Sequence, residues 1–542
     1  MKRILFITLC VFAFGAISAQ QLLRDIKIGQ DGAEPDFNDV VIKDGLLYFI
    51  AEDMPANKAL FKTDGTTNGT EKLIGDSNFG IYNTLGFIGN ELLFWGGNFV
   101  DGIALYKTNS AFNAYTLVKQ IHAQSFFTYL NVKIQVGNTI YFVADDGVHG
   151  FELWKTDGTE IGTVMVKDIN VGSGSSLLNT SANGYFAALG NTIYFAAGDT
   201  TNGAELWKSD GTEVGTVLVK DIETDNSMGA QFGSNPAYLY AFNGKIYFSA
   251  YRALDGREPW FTDGTANGTQ LLKDLAPGGS SPSNFIAYNN ALYFVAYANN
   301  EGYTLYKSNG TSAGTSIVRL PSAGGPETIE SIVQFKGKLA FASNNQNGDK
   351  NIWMSDGTSA GTTRLLNGTT TFDATGEKLL STSSYLYFTA SNNGSKYNLY
   401  RSEGTNNSVQ KIGTDVDFEC VSVEPMYLLG NCVLLLGDNG STGEEIYTVC
   451  NQQTVGLGNA VQAAQSIRFD IMPNPAKNVV ALTTEMEGRF SASLFSLHGA
   501  LIETVEFEAF HTFNVSNLNA GIYLLQLSDG NGNVTSKKIV KQ

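Results

Sequence analysis

The sequence has little charge, little proline, few histidines and few cysteines. Only 16% of its 542 residues are charged, and 52 acidic side chains face 35 basic ones, a formal net charge of −17. Such a chain has no electrostatic grip on nucleic acid or on an anionic membrane surface. With 11 Pro there is no collagen-like or proline-rich segment, and four His (His122, His149, His498, His511) leave little material for imidazole chemistry or zinc binding. No apolar run reaches the roughly 20 residues that span a bilayer. What the chain does have is 43% hydrophobic residues, 12% aromatics and 59 Gly. That mixture builds many short strands joined by tight turns, so the expected class is all-β.

The N-terminus carries Lys2 and Arg3, an uncharged run from Ile4 to Phe14, and small residues at Ala16, Ser18 and Ala19. This pattern reads as a signal peptide over residues 1–19. Cys10 falls within it. Three cysteines remain, Cys420, Cys432 and Cys450, and an exported chain permits a disulfide. A hairpin centred near Ser441 would place Cys432 opposite Cys450, the pairing favoured over a metal site.

Internal repetition dominates the sequence. Ile140 to Ala144, Glu152 to Thr159, Gly162-Thr163 and Val166 to Ile169 return fifty-three residues later as Ile193 to Ala197, Glu205 to Thr212, Gly215-Thr216 and Val219 to Ile222. An acidic or amide residue followed by Gly-Thr recurs at Asp64, Asp157, Asp210, Asp263, Asn309, Asp356 and Glu403, with a degenerate copy at Asn109. Aromatic-rich strands recur from Tyr48 to a degraded copy at Leu435. Each of about nine copies reads as four strands, the first two joined by two-residue turns such as Asp44-Gly45 and Asn243-Gly244, which accept positive φ. A four-stranded unit of about 45 to 53 residues repeated this often predicts a large β-propeller. Leu22 to Gly29 matches the fourth strand and exit loop of other copies, so it is expected to complete the last blade and close the ring.

These residues resemble the ELWxxDGT repeat family of exported bacterial proteins, whose motif stands as Glu152 to Thr159 and again as Glu205 to Thr212. The resemblance covers roughly residues 22–450 and implies architecture; it names no substrate. The expected organisation is a signal peptide over 1–19, the propeller over 20–450, a linker over 451–466 and a small immunoglobulin-like β-sandwich over 467–542.

This last segment is similar to the type A sorting domain of type IX secretion cargo. Three landmarks carry the likeness in order: Pro473-Asn474-Pro475, the Leu518 to Tyr523 stretch with Gly521 and Tyr523, and the terminal Lys537-Lys538 before Val540. The resemblance implies recognition by the type IX apparatus, passage through the periplasm and delivery to the outer cell surface or the medium.

Chemistry is harder to find. The repeated Asp-Gly-Thr carboxylates suit oxygen-loving calcium, but a side chain that bonds its own backbone at a turn explains the same pattern, so no cofactor is assigned. The aromatics at one blade position, Trp154, Trp207, Trp260 and Trp353 among them, read as packing between neighbours. Loops that differ between copies are the better places for function. Those between second and third strands hold Asp145, Asp146, Asp199, Asp255, Arg257, Asn299 and Glu301, the candidate ligand-binding residues. No catalytic residue is assigned. The expected function is binding, adhesion or scaffolding with a glycan or protein ligand. The alternative is a polysaccharide-degrading enzyme, a glycoside hydrolase or lyase, using two such carboxylates.

Overall fold

A computed structural model describes residues 21–542 apart from 28–31, 55–56, 76–77, 99–100, 123–128, 178–184, 226–231, 300–301, 319–327, 345–349, 366–372, 392–397, 413–418, 421–425, 439–442, 451–468, 485–489, 497–500, 509, 519 and 530–533. The expected signal peptide, the linker over 451–466 and Glu301 therefore lie outside the described residues. The chain divides into two compact units, Met1–Gln453 and Thr454–Gln542. The described residues are all-β, with no helix.

In the first unit the described strands form nine antiparallel sheets, each built from sequence neighbours. The sixth, Ser283–Tyr288, Ala291–Ala298, Gly302–Ser308 and Ser316–Val318, is representative. Its turn residues Asn289 and Asn290 both take positive φ, as do Asp44-Gly45, Asn243-Gly244 and Lys336-Gly337 in other sheets. These are the twist-matched turns that the side chains at those positions tolerate. The ninth sheet differs. Gln21–Leu22 pairs with Glu444–Cys450, Gln21 opposite Thr448, so the earliest described segment supplies the outer strand of the last sheet. In the same sheet Cys432 lies opposite Cys450, and the two are joined by a disulfide.

Second strands are buried on both faces, which is why they read as unbroken apolar runs. In Thr139–Asp145, Tyr141 and Val143 pack towards the fourth sheet, while Ile140, Phe142 and Ala144 pack towards the second. Every apolar cluster of this unit joins two consecutive sheets. The series closes where Leu23, Leu434, Leu436 and Ile446 meet Phe37, Phe49 and Phe61 of the first sheet. The result is a propeller-like ring, and Trp154, Trp207, Trp260 and Trp353 sit inside these inter-sheet clusters.

Polar bonds repeat around the ring as well. Lys167, Lys220 and Lys273, on or just beyond outer strands, donate to the carbonyls of Thr216, Thr269 and Thr315 in the next sheet at 3.0, 2.8 and 2.7 Å. Arg24, beside the closing strand, makes the same bond to Thr70 of the first sheet at 2.5 Å. The Asp-Gly-Thr turns explain themselves locally. Asp210 Oδ1 accepts from the N–H and hydroxyl of Thr212 at 2.9 and 2.7 Å, and the Gly215 N–H donates to Thr212 Oγ1 at 2.9 Å. The hydrogen bonds from Thr212 hold the Asp210 carboxyl below its usual range.

The second unit packs Asp470–Met472, Val479–Thr483 and Phe510–Asn514 as one sheet. Leu501–Phe507, Phe490–Ser496, Gly521–Asp529 and Val534–Lys541 form the other. Phe469, Val480, Leu482, Phe490, Phe513, Leu525, Leu527 and Ile539 fill the space between them.

The second glycine of the repeated turn is fixed by close approach, since a Cβ on Gly215 would lie 2.0 Å from Asp210 Oδ1. Gly215→Ala should therefore destabilise the ring by about 1–3 kcal/mol. The cost should shrink in an Asp210→Ala background, because the obstructing carboxylate is then gone. A denaturant-unfolding double-mutant cycle measures the coupling, and additive effects would refute the contact.

Candidate functional site

The fourth, fifth and sixth sheets share a cleft of about 730 Å³ on the face that carries the turns between second and third strands. Its floor comes from Ala196, Ala197 and Gly198 in Thr192–Asp199. Equivalent positions in neighbouring sheets hold bulkier side chains: Val143 and Val295 match Ala196, while Tyr251 and Tyr297 match Gly198. Loss of those side chains opens the space. Its walls come from the start of the inner strands, where Asn235, Tyr238 and Ser281 adopt φ of 47°, 57° and 48°. Register shifts between Ala237 and Tyr240, and between Ser283 and Ile286, mark β-bulges, which re-aim side chains at a strand end.

Three tyrosines line the cleft. Tyr185 is buried, its hydroxyl donating to the Ala196 carbonyl at 3.0 Å, and burial pushes its pKa above the ordinary tyrosine range. Tyr238 is half-buried. Tyr303 is 38% exposed and meets Tyr297 edge to face at 5.7 Å. Arg257, on Gly256–Thr262, enters the same space. Its Nη1 donates to the Asn235 carbonyl at 2.8 Å and to the Ser249 carbonyl at 3.4 Å, and burial lowers its pKa.

Of the residues expected to bind ligand, the cleft gathers Asp199 and Arg257. Asp145, Asp146, Asp255 and Asn299 do not line it, and Glu301 lies outside the described residues. Asp145 accepts from the Gly147 N–H at 2.7 Å. Asp146 accepts from the Val148 and His149 N–H groups, both at 2.9 Å, and pairs with His149 Nδ1 at 2.7 Å. Burial pushes the Asp146 carboxyl up, but the hydrogen bonds from His149 and Val148 outweigh it and leave it lowered, while His149 is raised by Asp146. Asp255 is held by Arg252 Nε at 2.5 Å. Asn299 lies in an exposed turn. Asp199 itself accepts from Thr201 N at 2.8 Å and Asn202 N at 2.6 Å, so most of these loop carboxylates are occupied in holding their own turns.

The sequence reading passed over the motif glutamate. Glu152, Glu205, Glu258 and Glu445 are completely buried where the third strand faces the chain running to the next sheet. Glu205 accepts from Ser234 N at 2.7 Å, from Ser234 Oγ at 2.5 Å and from Glu223 N at 3.1 Å. Glu152 and Glu258 hold Ser176 and Ser280 in the same way at 2.6 and 2.5 Å. Burial outweighs these bonds and pushes all four carboxyls up to about 7. Glu152, Glu205 and Glu258 brace the connections that wall the cleft, while Glu445 accepts from Lys27 N beside the closing strand. Among the described residues no group of three or more His, Cys, Asp or Glu is placed to hold a metal ion.

The sorting landmarks converge within the second unit. Pro473 and Pro475 flank Asn474, whose Nδ2 donates to the Lys538 carbonyl at 2.7 Å and whose Oδ1 accepts from Val540 N at 2.8 Å. Gly521 and Tyr523 pair with Lys541 and Ile539 on the adjacent strand. Lys537 lies 5.0 Å from the centre of the Phe469 ring and donates to the Phe469 carbonyl.

Residues 470–542 match the family described as the secretion system C-terminal sorting domain. The tail is a type IX sorting domain, which marks the protein for export to the outer surface or the medium and for contact with that secretion machinery. No helix among the described residues is long and apolar enough to cross a membrane. No curated protein matches the chain. Among solved structures it is similar to a puromycin hydrolase complexed with PGG, at 12% identity over 65% of this chain and 57% of that one, TM-score 0.36. It is also similar to prolyl oligopeptidase B from Galerina marginata, at 11% identity over 77% and 56%, TM-score 0.37. An extracellular domain attributed to a one-component system of B. thetaiotaomicron matches at 11% identity over 95% and 76%, TM-score 0.31. The chain thus spans little more than half the length of the two hydrolases, and likeness this distant says nothing about activity.

The buried glutamates predict how stability depends on pH. A carboxyl near 7 when folded and near 4.5 when unfolded favours the folded state most below pH 4.5, and that advantage fades as pH rises through 7. Thermal unfolding between pH 5 and 8 should show Tm falling with pH, and Glu205→Gln should flatten the slope. A Tm that rises across this window, or an unchanged slope in the variant, would contradict the assignment.

Proposed function

We propose that the protein is a surface-delivered binding module whose ring engages a glycan through the cleft of the fourth to sixth sheets. The ring is read as an ELWxxDGT-type propeller of about nine blades, exported with the help of an N-terminal signal peptide. The observation that carries this reading is the cleft itself. Tyr185, Tyr238 and Tyr303 share a concave space with amide and hydroxyl groups from Asn170, Asn235 and Ser281. Flat rings beside convergent polar groups suit a sugar, which has apolar faces and a hydroxyl edge.

Binding is favoured over hydrolysis because Asp199 is the only carboxylate among the described residues that line the cleft, and glycoside hydrolysis by the common route needs two. Affinity electrophoresis in gels containing soluble polysaccharides should retard the mature protein. Tyr303→Ala and Tyr238→Ala should reduce the retardation without lowering Tm by more than a few degrees. No new reducing ends should form on prolonged incubation. Turnover that Asp199→Asn abolishes would overturn the binding reading in favour of an enzyme.

A further inference from the structure

The cleft contains a cation without a counter-ion. Arg257 is half-buried, and no carboxylate pairs with it among the described residues; its described partners are the main-chain oxygens of Asn235 and Ser249, both held by Nη1. A guanidinium carries five N–H donors in a planar fork. With Nη1 committed to the wall, the fork edge formed by Nε and Nη2 is left for another acceptor. Charge drawn partly out of water gains from a partner, and proteins ordinarily supply that partner themselves. The surroundings make the omission notable. This chain carries 52 acidic residues, and ion pairs join Arg252 to Asp255 and Lys72 to Asp53, yet the arginine lining the cleft has none among the described residues.

Asp199 lines the same cleft but is bound to Thr201 and Asn202 and pairs with no guanidinium. The bulged inner strands at Asn235 and Tyr238 hold one carbonyl partner of Arg257 and a tyrosine on the same wall. The two carbonyl bonds fix the arginine against the wall, as a positioned recognition group requires.

We propose that the counter-ion of Arg257 is a carboxylate of the ligand, and that the glycan bound in this cleft is an acidic, uronate-containing polysaccharide. The inference rests on the binding reading above and narrows its ligand class. Arg257 takes the sugar carboxylate in a two-bond fork, the tyrosines contact the ring faces, and Asn and Ser side chains meet the hydroxyls. The general acidity of the protein gives no long-range attraction to such a polymer, so specificity depends on this one contact instead of a basic patch.

The test compares polygalacturonate with its fully methyl-esterified form in affinity electrophoresis of the mature full-length protein. The acid form should bind, and esterification should weaken binding by about tenfold or more, as expected when a hydrogen-bonded charge partner is removed. Arg257→Lys keeps a cation but loses the planar fork, and it should lose most of the preference for the acid form. Arg257→Gln should lose it entirely. Circular dichroism and Tm identify any variant that fails to fold, and in that event the comparison of the two polymers on the unaltered protein still decides. Equal binding to both forms, with loss in Tyr303→Ala, would sink the acid contact and leave glycan binding standing. Binding to an acidic peptide with no binding to either polysaccharide would sink both readings.

Discussion

The first unit depends on one constraint: no sheet in it has a core of its own. Each four-stranded sheet buries its two faces against its neighbours, so the apolar clusters lie between sheets and the structure is stable only if the series has no free end. The segment at Gln21–Leu22 removes that end by pairing with Glu444–Cys450, while Leu23 sits in the cluster shared by the ninth and first sheets. The Arg24 bond to Thr70 then repeats at the seam the stitch that lysines make elsewhere. Closure is therefore achieved with the same contacts that hold ordinary sheet boundaries.

This economy explains why the repeated motif is silent about function. Its glutamate braces the connection to the next sheet, its tryptophan fills the inter-sheet space, and its aspartate and threonine close a turn. The glycines leave room for those groups, as where Tyr141 Oη would lie 2.4 Å from a Cβ on Gly211 of the next sheet. With these motif positions committed to the scaffold, open surface for a ligand is left to places where the repeat departs from itself. The cleft is such a place, and it exists because Ala196 and Gly198 replace larger side chains.

Much of the architecture was legible because two-residue turns, apolar second strands and the Asp-Gly-Thr landmark all report local rules. The two-residue turns read at Asp44-Gly45 and Asn243-Gly244 fall between the first and second strands of their sheets. The site was less legible. Loop acidity suggested Asp145, Asp146 and Asp255, but short acidic loops satisfy their carboxylates internally, which composition does not reveal. Tyr185 and Tyr238 belong to no repeated pattern, and only the cleft they line, with its positive-φ backbone at Asn235 and Tyr238, shows that they border open space. One signal was present: Ala196 stands where the third and sixth sheets carry Val143 and Val295, and Gly198 where the fifth and sixth carry Tyr251 and Tyr297.

Hydrogen–deuterium exchange of the protein tests the closure most directly, because paired amides in a shared core exchange far more slowly than those of a free chain segment. Residues 21–27 should be protected to the same degree as their partner strand at 444–450, and both should lose protection together as denaturant is raised. Complete exchange of 21–27 within seconds, with 444–450 still protected, would show an unpaired tail and contradict the closed ring.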